Sequence, residues 1–125
     1  MPERLQAYRL ASLLSDIRNK YTLRLALVEI VEAAVGLGML LLRERGTAEG
    51  ISGYTLVFRR MVDAGIISPS VGREMERLAR LRNLIVHRYW EIDDVRIYTE
   101  ANANGLAVIE RFVREVKDYA GRPRA

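Results

Sequence analysis

The residue types best suited to chemistry are concentrated in one short segment, residues 80–93, which reads RLRNLIVHRYWEID. The segment contains the only histidine of the chain, together with three arginines and an aromatic pair: His87, Arg80, Arg82, Arg88, Tyr89 and Trp90. Histidine gains and loses a proton near neutral pH, and an arginine guanidinium donates two parallel hydrogen bonds to phosphate oxygens. This combination favours acid–base chemistry on a phosphate ester.

Composition excludes several other kinds of site. The sequence has no cysteine, which rules out disulfides, thiol nucleophiles, iron–sulfur clusters and cysteine-based zinc sites. With a single histidine, a histidine-rich metal site is not expected either, and we predict neither a metal nor a cofactor. The formal net charge of +4 favours a polyanionic partner such as RNA, DNA or a nucleotide phosphate. A compositional bias of the source genome would give the same excess of arginine.

The elements that must position these residues are helices. The 125 residues correspond to one domain, 1–125, and show neither strand-like alternation nor an internal repeat. Caps and turn residues predict helices over about Pro2–Lys20, from Thr22 as N-cap to Gly46, over about Tyr54–Ala64, over about Pro69–Val86, and from Asp93 as N-cap to about Tyr119. The residues expected to end or begin helices are Gly65, Ser68, Pro69, Gly121 and Pro123. We therefore predict an all-α fold, an antiparallel bundle of about five helices of which two are long.

The second helix carries the clearest pattern. Its apolar residues alternate spacings of four and three, which predicts a face packed lengthwise against another helix; they are Leu23, Leu27, Ile30, Ala34, Leu37 and Leu41. Gly36 and Gly38 lie inside this helix, where each costs about 1 kcal/mol relative to alanine. We interpret both glycines as points where another helix comes close.

Arg82 occupies an unexpected position on the fourth helix. At about 100° per residue it falls between Leu78 and Met75, inside the apolar arc and about 140° from His87, whereas Arg80 and Asn83 share the polar side with the histidine. A buried unpaired charge is costly, so Arg82 requires a carboxylate, backbone carbonyls, an interface or a phosphate. The two residues converge only if the helix ends before His87, if the arginine side chain curls round, or if two copies of the segment meet across a dimer axis.

Arg82, four intervening residues, His87, one further residue and Tyr89 resemble the signature of the HEPN superfamily, in particular of its HepT-like branch. Flanking residues agree with that signature: Asn83, Leu84, Ile85, Val86, Ile92 and Asp93. Residues 58–68 look like the family's third-helix ending, and the long second helix lies where the family has one. The resemblance covers most of the chain.

The resemblance implies a helical domain that forms a homodimer, with the motif of each copy facing a shared cleft. Members of this branch are commonly encoded beside a minimal nucleotidyltransferase, and the catalytic members are metal-independent endoribonucleases that act as toxins. The nucleotidyltransferase serves as antitoxin and can transfer AMP to the tyrosine of the motif, which corresponds to Tyr89. The expected partners are therefore RNA, a second copy of the chain and a nucleotidyltransferase antitoxin.

Two residues are the expected catalytic pair. RNA cleavage without a metal requires proton transfer from the 2′-hydroxyl, proton transfer to the leaving oxygen, and positive charge on the phosphate. We assign the proton transfer to His87 and the phosphate clamp to Arg82, and one histidine per chain fits a dimer whose copies share the acid and base roles. The supporting RNA-binding residues are expected to be Asn83, Tyr89, Arg80 and Arg88, with Tyr89 also the acceptor of AMP.

Other functions remain open at this stage. A non-catalytic module that binds a nucleotide or RNA and docks the nucleotidyltransferase would use the same fold, and a purely structural bundle would use Arg82 for stability alone. Arg73, Arg77 and Arg80 form either a phosphate track or a solvated face paired with Glu74 and Glu76.

The location is expected to be cytoplasmic, without membrane association. No signal peptide is recognisable after Met1. The longest uncharged stretch, Ala33–Leu42, has about ten residues, too few to span a bilayer.

Overall fold

The computed structural model describes residues 17–88, 93–100 and 106–122. These residues form five α-helices and contain no β-strand, which confirms the predicted all-α fold. The helices are α1 (Ile17–Glu44), α2 (Tyr54–Asp63), α3 (Pro69–His87), α4 (Asp94–Glu100) and α5 (Leu106–Ala120).

The first described helix begins earlier than predicted. α1 is already helical at Ile17 and continues through Thr22 to Glu44, so the predicted helix end near Lys20 and the predicted N-cap at Thr22 are wrong. Residues 17–35 include no glycine or proline, and nothing in this stretch therefore interrupts the backbone hydrogen bonds. The remainder of the predicted first helix, residues 2–16, lies outside the described residues.

Glycines end α1 and α2 in the same way. Gly46 follows α1 with φ 75° and Gly65 follows α2 with φ 74°, the left-handed conformation that glycine adopts without steric cost. In each case the N–H of the next residue bonds to the carbonyl five positions earlier, at 2.8 Å after α1 and at 2.9 Å after α2. Both predicted helix ends are confirmed.

Polar side chains begin α3 and α4 as predicted. The Ser68 hydroxyl accepts a hydrogen bond from the Val71 N–H at 3.3 Å, and Pro69 occupies the first helical turn, where its missing N–H costs nothing. The Asp93 carboxylate accepts a hydrogen bond from the Arg96 N–H at 2.7 Å. Local capping therefore determines the residue at which α3 begins, and α3 carries residues 80–87 of the segment of chemical interest.

The last predicted helix is described as two helices. α4 and α5 cover its two ends, and residues 101–105 between them lie outside the described residues. α5 stops at Ala120, and a turn at Gly121 follows as predicted. Pro123 and the connector residues 89–92 also lie outside the described residues.

α3 is the centre of the packing. It contacts α1, α2 and α5, and α1 also packs on α2. Met75 and Leu78 of α3 are completely enclosed. Phe58 of α2 and Phe112 of α5 meet edge to face, with ring centroids 6.0 Å apart and an interplanar angle of 82°. Residues 80–87 of the segment of chemical interest thus lie on a helix that packs against three others.

One of the two glycines inside α1 is a point of close approach. A Cβ atom on Gly38 would lie 2.7 Å from Met61 Sδ and 2.9 Å from Val57 Cγ1, so the predicted approach of another helix is confirmed there. Gly36 is exposed, and a Cβ atom on it would meet nothing within 4 Å. The prediction for Gly36 is therefore wrong for the described part of the chain, because Gly36 lies on the side of α1 that faces away from α2.

α1 combines buried and exposed apolar residues. The predicted apolar face is buried or half-buried at every position except Leu37, and Leu25 and Leu40 are exposed as well. By length and composition alone, Leu23–Glu44 could cross a membrane, a criterion that the core helix of a globular protein also meets. Here one side of that helix packs against α2 and α3.

Candidate active site

Arg82 lies on the buried side of α3, as its position in the sequence predicts. Its side chain is only 13% exposed. The Nη2 atom donates a hydrogen bond to Glu32 Oε1 at 2.8 Å, and Nη1 donates to Asn83 Oδ1 at 3.1 Å. The Cζ atom lies 4.5 Å from the centroid of the Tyr54 ring, so the guanidinium also stacks on an aromatic face. Of the partners that a buried arginine could have, the described chain supplies a carboxylate.

Three helices meet at this guanidinium. Glu32 is on α1, Tyr54 is the first residue of α2, and Asn83 follows Arg82 on α3. The carboxylate that pairs with the arginine is itself 47% exposed, so the ion pair is buried at one end and solvated at the other. The packing of α1 and α2 on α3 therefore fixes the position of the positive charge.

One donor atom of the guanidinium has no acceptor among the described residues. The Nε atom of Arg82 is buried and makes no hydrogen bond within the described part of the chain. Nε and Nη2 lie on the same edge of an arginine, and together they bind two oxygens of one carboxylate or phosphate. Glu32 contacts only Nη2, so the described contacts use half of this edge.

His87 lies apart from Arg82. It is the last residue of α3 and is exposed, and because α3 is helical through His87 the two side chains leave the helix about 140° apart. The first way for them to converge, a helix that ends before His87, is therefore wrong. The second, an arginine that curls round, is not realised either, because the guanidinium is bound toward α1 and no hydrogen bond joins it to His87 among the described contacts.

The other predicted site residues are distributed around the end of α3. Asn83 is half-buried and contacts Arg82 directly, whereas Arg80 and Arg88 are exposed. The Arg88 N–H closes the helix end by donating to the Leu84 carbonyl at 2.8 Å. Tyr89, the predicted acceptor of AMP, lies outside the described residues.

Two carboxylates farther along α3, Glu74 and Glu76, each pair with an arginine. Arg77 Nε lies 3.1 Å from Glu74 Oε2, and Arg59 of α2 lies 2.9 Å from Glu76 Oε1. Both acids that were weighed against a phosphate track are thus engaged in ion pairs. At Arg77 this arrangement favours the solvated, paired face, whereas both alternatives stay open for Arg73 and Arg80.

Sequence reasoning missed Glu32 and Tyr54. A signal existed for the acid, because Glu29 and Glu32 are the only carboxylates between Leu23 and Leu42 of an otherwise apolar helix. A buried arginine elsewhere in the chain needs such a partner. No comparable signal marks Tyr54, whose contact depends on how α2 packs against α3.

Comparison with protein families agrees with the motif around Arg82. The model of the HepT-like family, described as ribonuclease HepT-like, matches residues 2–116. This range includes all of the residues assigned to the site and most of the described helices. No curated protein matches the chain. The resemblance inferred from Arg82, His87 and Tyr89 is therefore confirmed at the level of the family.

Proposed function

The chain belongs to the HepT-like ribonuclease family, and we propose that it is a metal-independent endoribonuclease that acts as the toxin of a toxin–antitoxin pair. The observation that carries this proposal is the environment of Arg82. Its guanidinium is held by three helices, and its Nε–H is buried without an acceptor among the described residues, as a donor kept for an anion would be. A positive charge fixed in this way is what a phosphate in the transition state of cleavage requires.

The proposed reaction is a transesterification within the RNA. The 2′-oxygen attacks phosphorus, its proton passes to one imidazole, and a second imidazole gives a proton to the departing 5′-oxygen. The products are a 2′,3′-cyclic phosphate and a free 5′-hydroxyl. Each chain has a single histidine, so His87 of two copies would supply the base and the acid. Arg82 would bind the phosphate oxygens, with Asn83 orienting the guanidinium.

A homodimer is part of the proposal, and the exposed face of α1 supports it. This face carries several apolar or small residues that the chain itself leaves open: Leu25, Ala33, Gly36, Leu37 and Leu40. At about 100° per residue Glu32 lies on the same face, beside Gly36. A second copy packed here would bury these apolar groups and would lie next to Arg82.

The partner proposed from the family resemblance is a nucleotidyltransferase antitoxin that transfers AMP to Tyr89. Coexpression with such an enzyme should then raise the mass of the chain by about 329 Da per AMP added. The Tyr89→Phe variant, which lacks only the hydroxyl, should keep its mass. An unchanged mass of the wild-type chain would contradict this part of the proposal and leave the nuclease activity to be tested separately.

The decisive test is cleavage of a labelled single-stranded RNA of mixed sequence by purified protein. We expect the wild type to cut and His87→Ala to cut at least about 100-fold more slowly, the usual contribution of a general acid or base. The control is Arg114→Ala, which removes an exposed charge from α5 and should cut at the wild-type rate. Circular dichroism and light scattering would confirm that the variants keep the helical fold and the oligomeric state.

Two results would count against the proposal. Equal cleavage by the wild type and His87→Ala would remove the histidine from the mechanism. Wild-type protein that binds RNA without cutting it would instead favour the non-catalytic module, in which Arg82 holds a nucleotide or RNA end.

A further inference from the structure

The ion pair between Arg82 and Glu32 is asymmetric in its exposure. The arginine side chain is 13% exposed, whereas the glutamate side chain is 47% exposed. The carboxylate is already partly hydrated, and it would gain further hydration by turning away from the guanidinium into water. The arginine, which is enclosed by α1, α2 and α3, would then remain in place without its counterion.

The hydrogen bonds of the guanidinium are asymmetric too. Glu32 uses Nη2 alone, and the neighbouring Nε–H has no acceptor among the described residues. A phosphate that offers two oxygens to this edge would satisfy both atoms and so make one hydrogen bond more than Glu32 does. During such an exchange Asn83 would still bind Nη1, and Tyr54 would still cover one face of the guanidinium.

We propose that Glu32 is an internal competitor of the substrate: it neutralises Arg82 in the free protein and is displaced when an RNA phosphate binds. This inference rests on the proposed function in one respect, because it assigns to Arg82 a phosphate of RNA. Glu32 acts through the arginine and touches no reacting atom, so it is a positioning residue. Glu32 keeps the buried guanidinium paired in the free protein, and it thereby lowers the affinity of the protein for RNA.

The test measures binding, so that it does not depend on cleavage. In a His87→Ala background, the Glu32→Gln variant keeps the shape and one carbonyl acceptor but loses the charge that competes with phosphate. We expect the Kd for a fluorescein-labelled single-stranded RNA of mixed sequence to fall about two- to fivefold, the factor that corresponds to a partly exposed ion pair. Glu32→Asp, whose shorter side chain holds the same charge farther from Arg82, should lower the Kd by a smaller factor.

Two controls separate the local contact from a change in overall charge. Glu29→Gln alters the net charge equally, and it lies one turn earlier on the same exposed side of α1. It should lower the Kd by a smaller factor than Glu32→Gln. In an Arg82→Ala background, Glu32→Gln should lose its advantage over Glu29→Gln, because the competitor no longer has a cation to occupy.

Several outcomes would overturn the inference. A higher Kd for Glu32→Gln would mean that the carboxylate supports the binding conformation of Arg82 and does not compete with RNA. Equal decreases of the Kd in Glu32→Gln and Glu29→Gln would mean that net charge, and not the contact with Arg82, causes the change. If Glu32→Gln does not fold, Glu32→Asp takes its place, and a Kd unchanged or raised in that variant would refute competition. If the wild type does not cleave RNA, the proposed nuclease activity is contradicted, but the Kd values still decide whether Glu32 competes with RNA.

Discussion

Replacing Gly38 with alanine should disturb the contact between α1 and α2, whereas the same replacement at Gly36 should stabilise the protein. The two glycines lie two residues apart in the interior of α1, so the change in helix propensity is the same. Their surroundings differ, because only Gly38 faces α2. This contact matters for the candidate site, since α1 carries Glu32 and α2 carries Tyr54.

The magnitudes follow from the space at each position. Alanine is favoured over glycine inside a helix by about 1 kcal/mol, and the Cβ atom at Gly36 meets nothing within 4 Å, so Gly36→Ala should gain about that amount. At Gly38 the added carbon would lie 2.9 Å from Val57 Cγ1 and 2.7 Å from Met61 Sδ. Overpacking of this kind costs about 1–3 kcal/mol, which cancels or exceeds the gain in helix propensity.

Chemical denaturation of both variants at one protein concentration measures the difference. The free energy of unfolding of Gly36→Ala should exceed that of Gly38→Ala by about 1–3 kcal/mol, and the melting temperatures should differ in the same order. Both variants also carry Leu40→Lys, a change expected to give the monomer, because Gly36 lies on the face proposed for the second copy and dimerisation adds to the apparent stability. If Gly38→Ala were as stable as Gly36→Ala, α1 and α2 would not approach each other closely at Gly38.

Two further predictions concern the dimer and the start of α3. Leu40→Lys should give a folded monomer in light scattering if the proposed dimer forms through the exposed face of α1, on which Leu40 is 52% exposed. Val113→Lys, at a residue 41% exposed on α5, should leave the proposed dimer intact. Equal effects of both variants would contradict the α1 interface. Ser68→Ala should lower the free energy of unfolding by about 1–2 kcal/mol, because the hydroxyl caps α3 and donates to Glu115 Oε2 at 2.9 Å. In the same denaturation experiment, Ser52→Ala in an exposed loop should change it by less than about 0.5 kcal/mol, and equal losses would argue against the cap.

Helix ends were predictable from the sequence where local chemistry alone determines them. Gly46 and Gly65 act through their own backbone conformation, and Ser68 and Asp93 act on N–H groups within three residues. The start of α1 was not predictable in the same way. Thr22 has a side chain suited to an N-cap, but an N-cap is the residue at which the backbone enters the helix. Residues 17–21 contain no glycine or proline and are already helical, so Thr22 lies inside α1.

The candidate site was predictable to the extent that it lies on one helix. The angular position of Arg82 on α3 indicated a buried cation that needs a partner. The apolar stretch of α1, residues 25–42, contains two acids that could be that partner, Glu29 and Glu32. Only the packing of α1 on α3 selects Glu32, which is 50 residues away in the chain. The stacking of Tyr54 on the guanidinium also depends on packing between helices, which a pattern along one helix does not contain.

The geometry of α3 indicates that one chain does not hold all of the proposed active site. The Arg82 guanidinium faces α1, and the Nε and Nη2 edge proposed for phosphate lies with it, whereas His87 leaves the helix about 140° away and faces solvent. A phosphate held by that edge therefore needs a proton donor from elsewhere. Glu32 lies on the same exposed apolar face of α1 as Gly36 and Leu40. A second copy docked on that face would approach Arg82 from the side to which the histidine of the first copy does not point. The proposed dimer and the proposed exchange of Glu32 for phosphate therefore depend on the same surface.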